Sequence, residues 1–307
     1  MTVGLFSSIV FVLSAPIVVS ILSGLLSSAF LVSLDNKQTL LNSTSRLNPE
    51  EYLAMRDREI SSVPVIARQV TVRIISSGDA GSGVIVKRQG QTYTVLTNHH
   101  VLAFNADNRY RVLTADGNTH SGQWKFSVDF GNRDLALLEF TSNNDYQVVE
   151  LGDSNTVSVG DLVYAAGFPN WAGSSPNSRR PTENTRDWGE RAYELTTGRV
   201  KILLELSLAR GYQMGYNNNI QNGMSGGPVL DRRGRLIGIN GRAKYPVAGI
   251  NAYRFEDGSL PSADLYRDME VLSWAIPVAT FKDVIERSLD SLSSIGEKEG
   301  IWQNDWE

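Results

Sequence analysis

The 307-residue chain has no cysteine and only three histidines, His99, His100 and His120. Without cysteine it can form neither a disulfide framework nor thiolate metal sites. Three histidines argue against a multi-histidine metal centre. A net charge of −4 gives no basic field for nucleic acid. We therefore expect no metal, no other cofactor and no nucleic-acid partner.

Charge is also absent from residues 2–34, which are rich in Leu, Val, Ile, Phe and Ser. This stretch exceeds the roughly 20 apolar residues that cross a bilayer. Residues 1–34 are therefore predicted to be a secretory signal peptide, cut after Ala29, or an uncleaved transmembrane anchor. A buried core helix is disfavoured because no polar face interrupts the run. Either reading predicts an extracytoplasmic (periplasmic, lumenal or secreted) domain, with membrane contact through this helix if it is uncleaved.

The remaining chain divides by composition. Residues 35–66 are polar and are predicted to form a juxtamembrane stem, with a short helix beginning at Asn48-Pro49. Residues 67–293 carry the pattern of a folded domain, and residues 294–307 form an acidic tail. Two polar insertions, 171–191 and 243–272, interrupt the domain, and Ser262–Leu272 is predicted to be helical.

Short apolar segments separated by Gly, Asn and Asp predict an all-β barrel or sandwich. Near the end, apolar residues from Val278 to Leu289 recur at helical spacing, which predicts one C-terminal helix. The predicted strands are Val70–Ile75, Val84–Val86, Thr92–Leu96, Tyr110–Leu113, Gly122–Phe126, Leu135–Phe140, Leu162–Ala166, Tyr193–Thr197, Gly198–Leu203, Gly227–Leu230 and Leu236–Ile239.

Three segments together indicate nucleophilic catalysis. One places His99 and His100 after an apolar strand, a second places Asp134 before another, and the third places Ser225 in the glycine-rich turn Asn222–Pro228. Each alone is typical of a turn, a cap or a boundary residue, so the prediction depends on their joint occurrence.

The chemistry explains why these residue types are needed together. A serine hydroxyl needs a base such as histidine to take its proton. An aspartate then holds the imidazole tautomer and stabilises the imidazolium. Glycines around Ser225 let backbone N–H groups reach a developing oxyanion, and Gly223 and Ser225 are the natural donors.

The motifs resemble the HtrA (Deg) branch of trypsin-like serine proteases. Thr97–Val101 is similar to that branch's Thr-Asn-Ala-His-Val element, which places His100 on the catalytic position and His99 on the alanine. Asp134–Leu138 resembles Asp-Leu-Ala-Val-Leu, and Gly223–Pro228 resembles Gly-Asn-Ser-Gly-Gly-Pro. Leu236–Asn240 and Trp274–Pro277 extend the resemblance downstream.

The resemblance implies two six-stranded antiparallel β-barrels of the chymotrypsin-like type, about 67–155 and 156–277, with a closing helix at 278–293. His100, Asp134 and Ser225 would form the triad in the cleft between the barrels. Met224 stands where vertebrate trypsins have an aspartate, so their zymogen switch is not expected. No PDZ-like segment is expected after the protease unit.

By motif position, the resemblance implies an S1 pocket without an acidic residue. Small or medium apolar P1 side chains are therefore expected, although Arg242 could accept an acidic one or be a solvated surface residue. The residues assigned to this pocket are Asn219, Ile220, Ile239, Asn240 and Gly241.

The expected function is a serine endopeptidase acting on proteins or peptides. A membrane-tethered binding or chaperone-like module on the same fold is the alternative. An α/β-hydrolase esterase would also place serine in Gly-x-Ser-x-Gly, but its Ser, acid, His order is the reverse of the order here.

Overall fold

Strands dominate the part of the chain that the computed structural model describes, residues 62–77, 79–103, 105, 108–172 and 183–285. They form two closed six-stranded antiparallel barrels, which confirms the predicted fold class. The predictions for residues 1–34, for most of the stem and for the acidic tail lie outside the described residues. Within the described ranges, no helix is long and apolar enough to cross a membrane.

The strands of the first barrel are β1 (Thr71–Ile75), β2 (Ala80–Gln89), β3 (Thr92–Thr97), β4 (Tyr110–Leu113), β5 (Thr119–Trp124) and β6 (Ala136–Thr141). They have the order β1-β2-β3-β6-β5-β4, and β1 pairs with β4 to close the barrel. A helix, α1 (residues 62–70), precedes β1, and a short helix, α2 (His99–Leu102), follows β3. The barrel is filled by Val72, Ile85, Val95, Val112 and Leu138, none of which is exposed.

The strands of the second barrel are β7 (Leu162–Gly167), β10 (Glu194–Leu208), β11 (Tyr212–Tyr216), β12 (Pro228–Leu230), β13 (Leu236–Arg242) and β14 (Ser273–Pro277). They have the order β10-β11-β14-β13-β12-β7, with β10 and β7 paired to close the barrel. Two short strands, β8 (Trp171–Ala172) and β9 (Glu183–Asn184), pair within the first predicted insertion.

Barrel two differs from the sequence prediction in three strands. β10 is one strand of 15 residues where two were predicted. Gly198 lies inside this strand, and the space that a Cβ would fill there is taken by the side chains of Asn217 and Asn218, so this glycine allows close packing and does not mark a turn. β11 and β14 were not predicted as strands. Most of their residues are buried, so they lack the alternation that reveals a half-exposed strand.

Residues 62–70 form a helix, α1, and the predicted boundary between stem and domain at 66/67 falls inside it. Val63, Ala67 and Val70 are fully buried. They recur at helical spacing and belong to a core cluster that also contains Leu96 of barrel one and Ile239 of barrel two. The end of the predicted stem is therefore part of the protein core.

Two further helices agree with the sequence patterns. The helix predicted at Ser262–Leu272 is α3 (Ala263–Glu270), and the Ser262 hydroxyl accepts a hydrogen bond from the Leu265 amide at 3.2 Å. The closing helix, α4, begins at residue 278 and is described to residue 285. Residues 286–293 of the predicted helix lie outside the described ranges.

Candidate active site

Strand pairing brings His100 and Asp134 to the same end of barrel one. β3 and β6 run antiparallel with Thr97 opposite Ala136, so the residue three positions after Thr97 and the residue two positions before Ala136 lie at one edge. The Asn98 side chain fixes this edge by donating to the Asp134 carbonyl oxygen at 2.8 Å. The pairing register of β3 and β6 therefore brings His100 and Asp134 into contact.

The His100 ring is the one that contacts Asp134. Its Nδ1 lies 2.7 Å from Asp134 Oδ2, and its backbone N–H donates to Oδ1 at 3.0 Å. The His99 ring instead packs edge-on against Trp124, with ring centroids 5.3 Å apart. The side chains of this histidine pair thus point to different neighbours.

Two further side chains reach Asp134, and neither was singled out in the sequence. Arg210, in the turn between β10 and β11, donates to Oδ1 at 2.6 Å, and the Tyr212 hydroxyl donates to Oδ2. Burial would raise the pKa of Asp134, but the hydrogen bond and charge of His100, then Tyr212 and Arg210, outweigh it and lower this pKa to about 2. The carboxylate is therefore ionised at neutral pH although only 1% of Asp134 is exposed.

The turn that carries Ser225 is attached directly to barrel one. The Ser82 amide on β2 donates to the Ser225 carbonyl oxygen at 2.8 Å. Gly226, with φ of +86°, lies so close that a Cβ would be 2.1 Å from the Ser82 carbonyl oxygen and 2.2 Å from Thr97 Oγ1. The serine turn thus meets the end of β3, just before His100. Among the described residues, no hydrogen bond joins the Ser225 hydroxyl to His100.

The peptide before Gly223 has a defined orientation. Its carbonyl, on Asn222, accepts a hydrogen bond from the Asn170 amide at 2.8 Å. Because the N–H and C=O of a trans peptide point in opposite directions, the Gly223 N–H faces away from Asn170. Within the described part of the chain, neither this N–H nor that of Ser225 donates a hydrogen bond. Both predicted oxyanion donors therefore lack a protein acceptor among the described residues.

A fully buried arginine supports Asn170 from barrel one. Arg73 on β1 donates to the Thr185 carbonyl oxygen at 2.8 Å and to its hydroxyl at 3.1 Å. The Thr185 amide donates in turn to the Asn170 carbonyl oxygen at 3.0 Å. The alternating sequence of β1 predicted a half-exposed strand, but all five of its residues are buried. The first insertion, through Thr185, covers the face on which Arg73 lies.

The predicted S1 residues lie in different environments. Ile220 and Ile239 are buried in the hydrophobic core, and Asn240 is buried with its amide bonded to Tyr216 and to the Ala166 carbonyl oxygen. Asn219 is exposed and Gly241 is half-buried. The side chains of Ile220, Ile239 and Asn240 thus serve barrel packing.

Gly241 leaves room for Tyr212, which contacts Asp134. A Cβ at Gly241 would lie 2.3 Å from the Tyr212 hydroxyl oxygen, the atom that donates to Asp134. Arg242 is not a solvated surface residue. Its guanidinium lies 4.5 Å from the centre of the Tyr212 ring and donates to the Ala252 carbonyl oxygen. The guanidinium of Arg242 is therefore already held by contacts with Tyr212 and Ala252.

No group of three or more His, Asp or Glu side chains in the described ranges could hold a metal ion. His120, the third histidine, is hydrogen-bonded to the Tyr146 hydroxyl at 2.7 Å in barrel one.

Two closed six-stranded barrels with His100, Asp134 and the Ser225 turn at their junction define the chymotrypsin-like fold class. The chain belongs to the trypsin-like peptidase domain family, whose family model matches residues 81–239.

Curated relatives confirm the resemblance to the HtrA (Deg) branch. The chain is 25% identical over 226 residues to a probable periplasmic serine endoprotease, DegP-like, of Bartonella henselae, covering 74% of this chain and 35% of the relative. It is 29% identical over 187 residues to the serine protease Do-like HtrB of Bacillus subtilis, covering 60% and 36%. The matched region thus spans about a third of each relative's length.

Solved structures show the same fold. An HtrA-type protease solved with a tripeptide aligns with a TM-score of 0.52 at 22% identity, covering 74% of this chain and 62% of that one. A serine endoprotease from Yersinia pestis aligns with a TM-score of 0.51 at 20% identity, covering 75% and 66%.

Proposed function

We propose that this chain is a serine endopeptidase that cleaves peptide bonds in proteins or peptides through an acyl-enzyme. The observation that carries the proposal is the 2.7 Å contact between His100 and Asp134, at the barrel end where the Ser225 turn is attached. The backbone N–H groups of Gly223 and Ser225, which lack a protein acceptor among the described residues, would supply the second requirement, an oxyanion site.

In the proposed reaction, Ser225 Oγ bonds to the carbonyl carbon of the scissile peptide, and its proton passes to His100 Nε2. Asp134 accepts a hydrogen bond from the Nδ1–H group, which keeps the proton on Nδ1 and leaves Nε2 free as the base. The carbonyl oxygen becomes an oxyanion that the N–H groups of Gly223 and Ser225 stabilise, each by roughly 3 kcal/mol. When the intermediate collapses, the C–N bond breaks and His100 gives its proton to the leaving amine. Water then attacks the acyl group by the same steps and restores Ser225.

Labelling by a fluorophosphonate probe and hydrolysis of unfolded casein test this proposal on the full chain. Ser225→Ala should lose both, because the nucleophile is removed. Ser158→Ala, at an exposed serine, should keep both. Full labelling of Ser225→Ala would refute the assignment. Casein binding by a wild-type chain that neither labels nor hydrolyses would support the chaperone-like alternative.

For the substrate, we propose small or medium apolar P1 side chains. Of the residues assigned to S1, only Asn219 and Gly241 are exposed or half-buried, and neither is acidic. The contacts of Arg242 with Tyr212 and Ala252 leave it poorly placed to meet an acidic P1 group. A positional-scanning peptide library tests this. A dominant preference for Lys, Arg, Asp or Glu at P1 would contradict it.

We further propose that the domain works outside the cytoplasm, which the periplasmic designation of relatives supports. Residues 1–34 would direct the chain there as a signal peptide or as an anchor. Sequencing the N-terminus of the mature protein distinguishes them: a start near residue 30 indicates cleavage, and a start near Met1 indicates an anchor. Recovery of the mature chain in the cytoplasmic fraction would overturn the location.

A further inference from the structure

Arg210 contacts the candidate triad in a way that the proposed reaction does not require. Its guanidinium lies 2.6 Å from Asp134 Oδ1, and its backbone carbonyl accepts a hydrogen bond from the Asp134 amide at 3.0 Å. His100 uses the opposite oxygen, Oδ2, for its ring. One carboxylate therefore serves two cation-forming side chains.

The backbone at Arg210, which makes this contact, also has an unfavourable conformation. Its φ is +73°, in the left-handed region that costs a side-chain-bearing residue about 1 kcal/mol or more. Gly211, the next residue, also has positive φ, and the two end the turn between β10 and β11. Strain of this kind is found most often at functional sites.

Arg210 also remains in contact with solvent. Its side chain is 45% exposed, whereas that of Asp134 is 2% exposed. Arg210 lines a surface cleft, and this opening lets water and salt reach the guanidinium but not the carboxylate. The other lining residues include His99, Gly131, Asn132, Arg133, Gly211 and Glu256.

The permanent positive charge of Arg210 beside Asp134 changes what the aspartate can do for His100. The carboxylate stabilises an imidazolium, but the nearby guanidinium opposes a second positive charge. The guanidinium and the imidazolium therefore compete for the same carboxylate. The other charged or titratable groups around this pair are Tyr212 on β11, Arg242 on β13, Arg133 and His99 at the end of barrel one, and Glu256.

We propose that Arg210 is a positioning residue that shares the Asp134 carboxylate with His100 and so extends the working range of the protease to lower pH. The inference depends on the proposed function, since His100 must be the base whose neutral form is active. Arg210 acts through Asp134 and touches no reacting atom.

The test is the pH profile of kcat/KM for the full chain. Arg210→Gln should move the midpoint of the acid limb upward by about half a pH unit or more, since half-exposed charges are partly screened. Arg210→Lys retains the charge and should stay near the wild-type profile. Arg88→Gln is the matched control, because Arg88 is 39% exposed and also lies 2.6 Å from a carboxylate, that of Asp145. It should not move the limb.

A further variant separates charge from backbone strain. Arg210→Gly removes both the charge and the backbone strain. Because the charge alone is expected to control the acid limb, this variant should move the limb as far as Arg210→Gln does. An acid limb that is unchanged in both variants, or that moves equally in Arg88→Gln, would overturn the inference.

Fluorophosphonate labelling of the same samples keeps the two proposals apart. If the wild-type chain labels at Ser225 and the Arg210 variants have the same pH profile of kcat/KM as wild type, only the role of Arg210 is refuted. A wild-type chain that does not label refutes the proposed function. For that case, the imidazole proton between His100 and Asp134 can be followed by NMR, and its pH midpoint should rise in Arg210→Gln.

Discussion

The two halves of the candidate site are held by different forces. On the His100 and Asp134 side, an ion pair and a charge-assisted hydrogen bond converge on one buried carboxylate. The Ser225 turn is held by neutral hydrogen bonds, mostly between backbone groups. Its glycines lack a Cβ and so allow barrel one to pack against the turn at contact distance. Charge should therefore control the first half and steric fit the second.

Gly226→Ala tests steric control and should have the largest effect. Its Cβ would lie 2.1 Å from the Ser82 carbonyl oxygen, at a φ of +86°. We expect activity to fall below detection and the free energy of unfolding to drop by about 3 kcal/mol or more. Thermal unfolding and peptide hydrolysis measure the two effects.

Gly90→Ala is the matched control for that substitution. Gly90 also has positive φ, +60°, but nothing lies within 4 Å of its added Cβ. The control should lose about 1 kcal/mol of stability from backbone strain alone and keep its activity. Equal effects of the two substitutions would show that contact with barrel one is unimportant.

Asp134→Asn tests control by charge. The amide keeps the size of the side chain but cannot hold the His100 tautomer or stabilise its cation. We expect kcat to fall by about 10⁴-fold, with the fold retained and KM little changed. Circular dichroism and steady-state kinetics measure both. A loss of less than tenfold would show that this half of the site does not depend on its carboxylate.

The same carboxylate should make stability depend on acid pH. Because the pKa of Asp134 is lowered from 3.8 to about 2, its ionised form stabilises the folded state. The stabilisation is complete above about pH 4, is lost as pH falls through 2, and amounts to about 2 kcal/mol. Urea unfolding between pH 5 and pH 2 should therefore show a steeper loss for wild type than for Asp134→Asn.

Ser82→Ala provides the comparison from the serine half. It removes the hydroxyl that donates to the Gly223 carbonyl oxygen at 2.7 Å, and no titratable group takes part in that contact. The variant should be less stable at every pH but should keep the wild-type pH dependence. If its pH dependence flattened as in Asp134→Asn, the division between the two halves would be wrong.

The residue pattern predicted an all-β barrel or sandwich and the three motif segments because those signals are local, whereas the two-barrel arrangement and the choice of His100 over His99 followed only from the family resemblance. Strand rhythm, a histidine after one strand, an aspartate before another and a glycine-rich turn can each be read within a few residues. Arg210 and Arg73 could not be predicted in this way. They meet Asp134 and Thr185 across 76 and 112 residues of sequence, and Arg73 occupies a position that alternation assigns to solvent. Their partners are defined only when the barrels close.

The smallest of the expected effects concerns Arg73, whose charge acts on the serine half from a distance. Arg73→Met fills similar space and leaves no unpaired charge, so the fold should survive. The Thr185 segment would lose two hydrogen bonds, and Asn170 would hold the Asn222 carbonyl less firmly. Because one oxyanion donor contributes 10²–10³-fold, its partial misalignment should lower kcat by about tenfold with KM nearly unchanged.

Arg88→Met, at the far end of β2, is the control for this substitution and should leave kcat unaltered. Thr185→Val should lower kcat in the same direction, and combining it with Arg73→Met should add little, because both act through the same contact. If kcat in Arg73→Met equals that of wild type, or if KM rises while kcat is unchanged, the serine turn is oriented without help from this buried charge. In that case steric fit alone would control this half of the site.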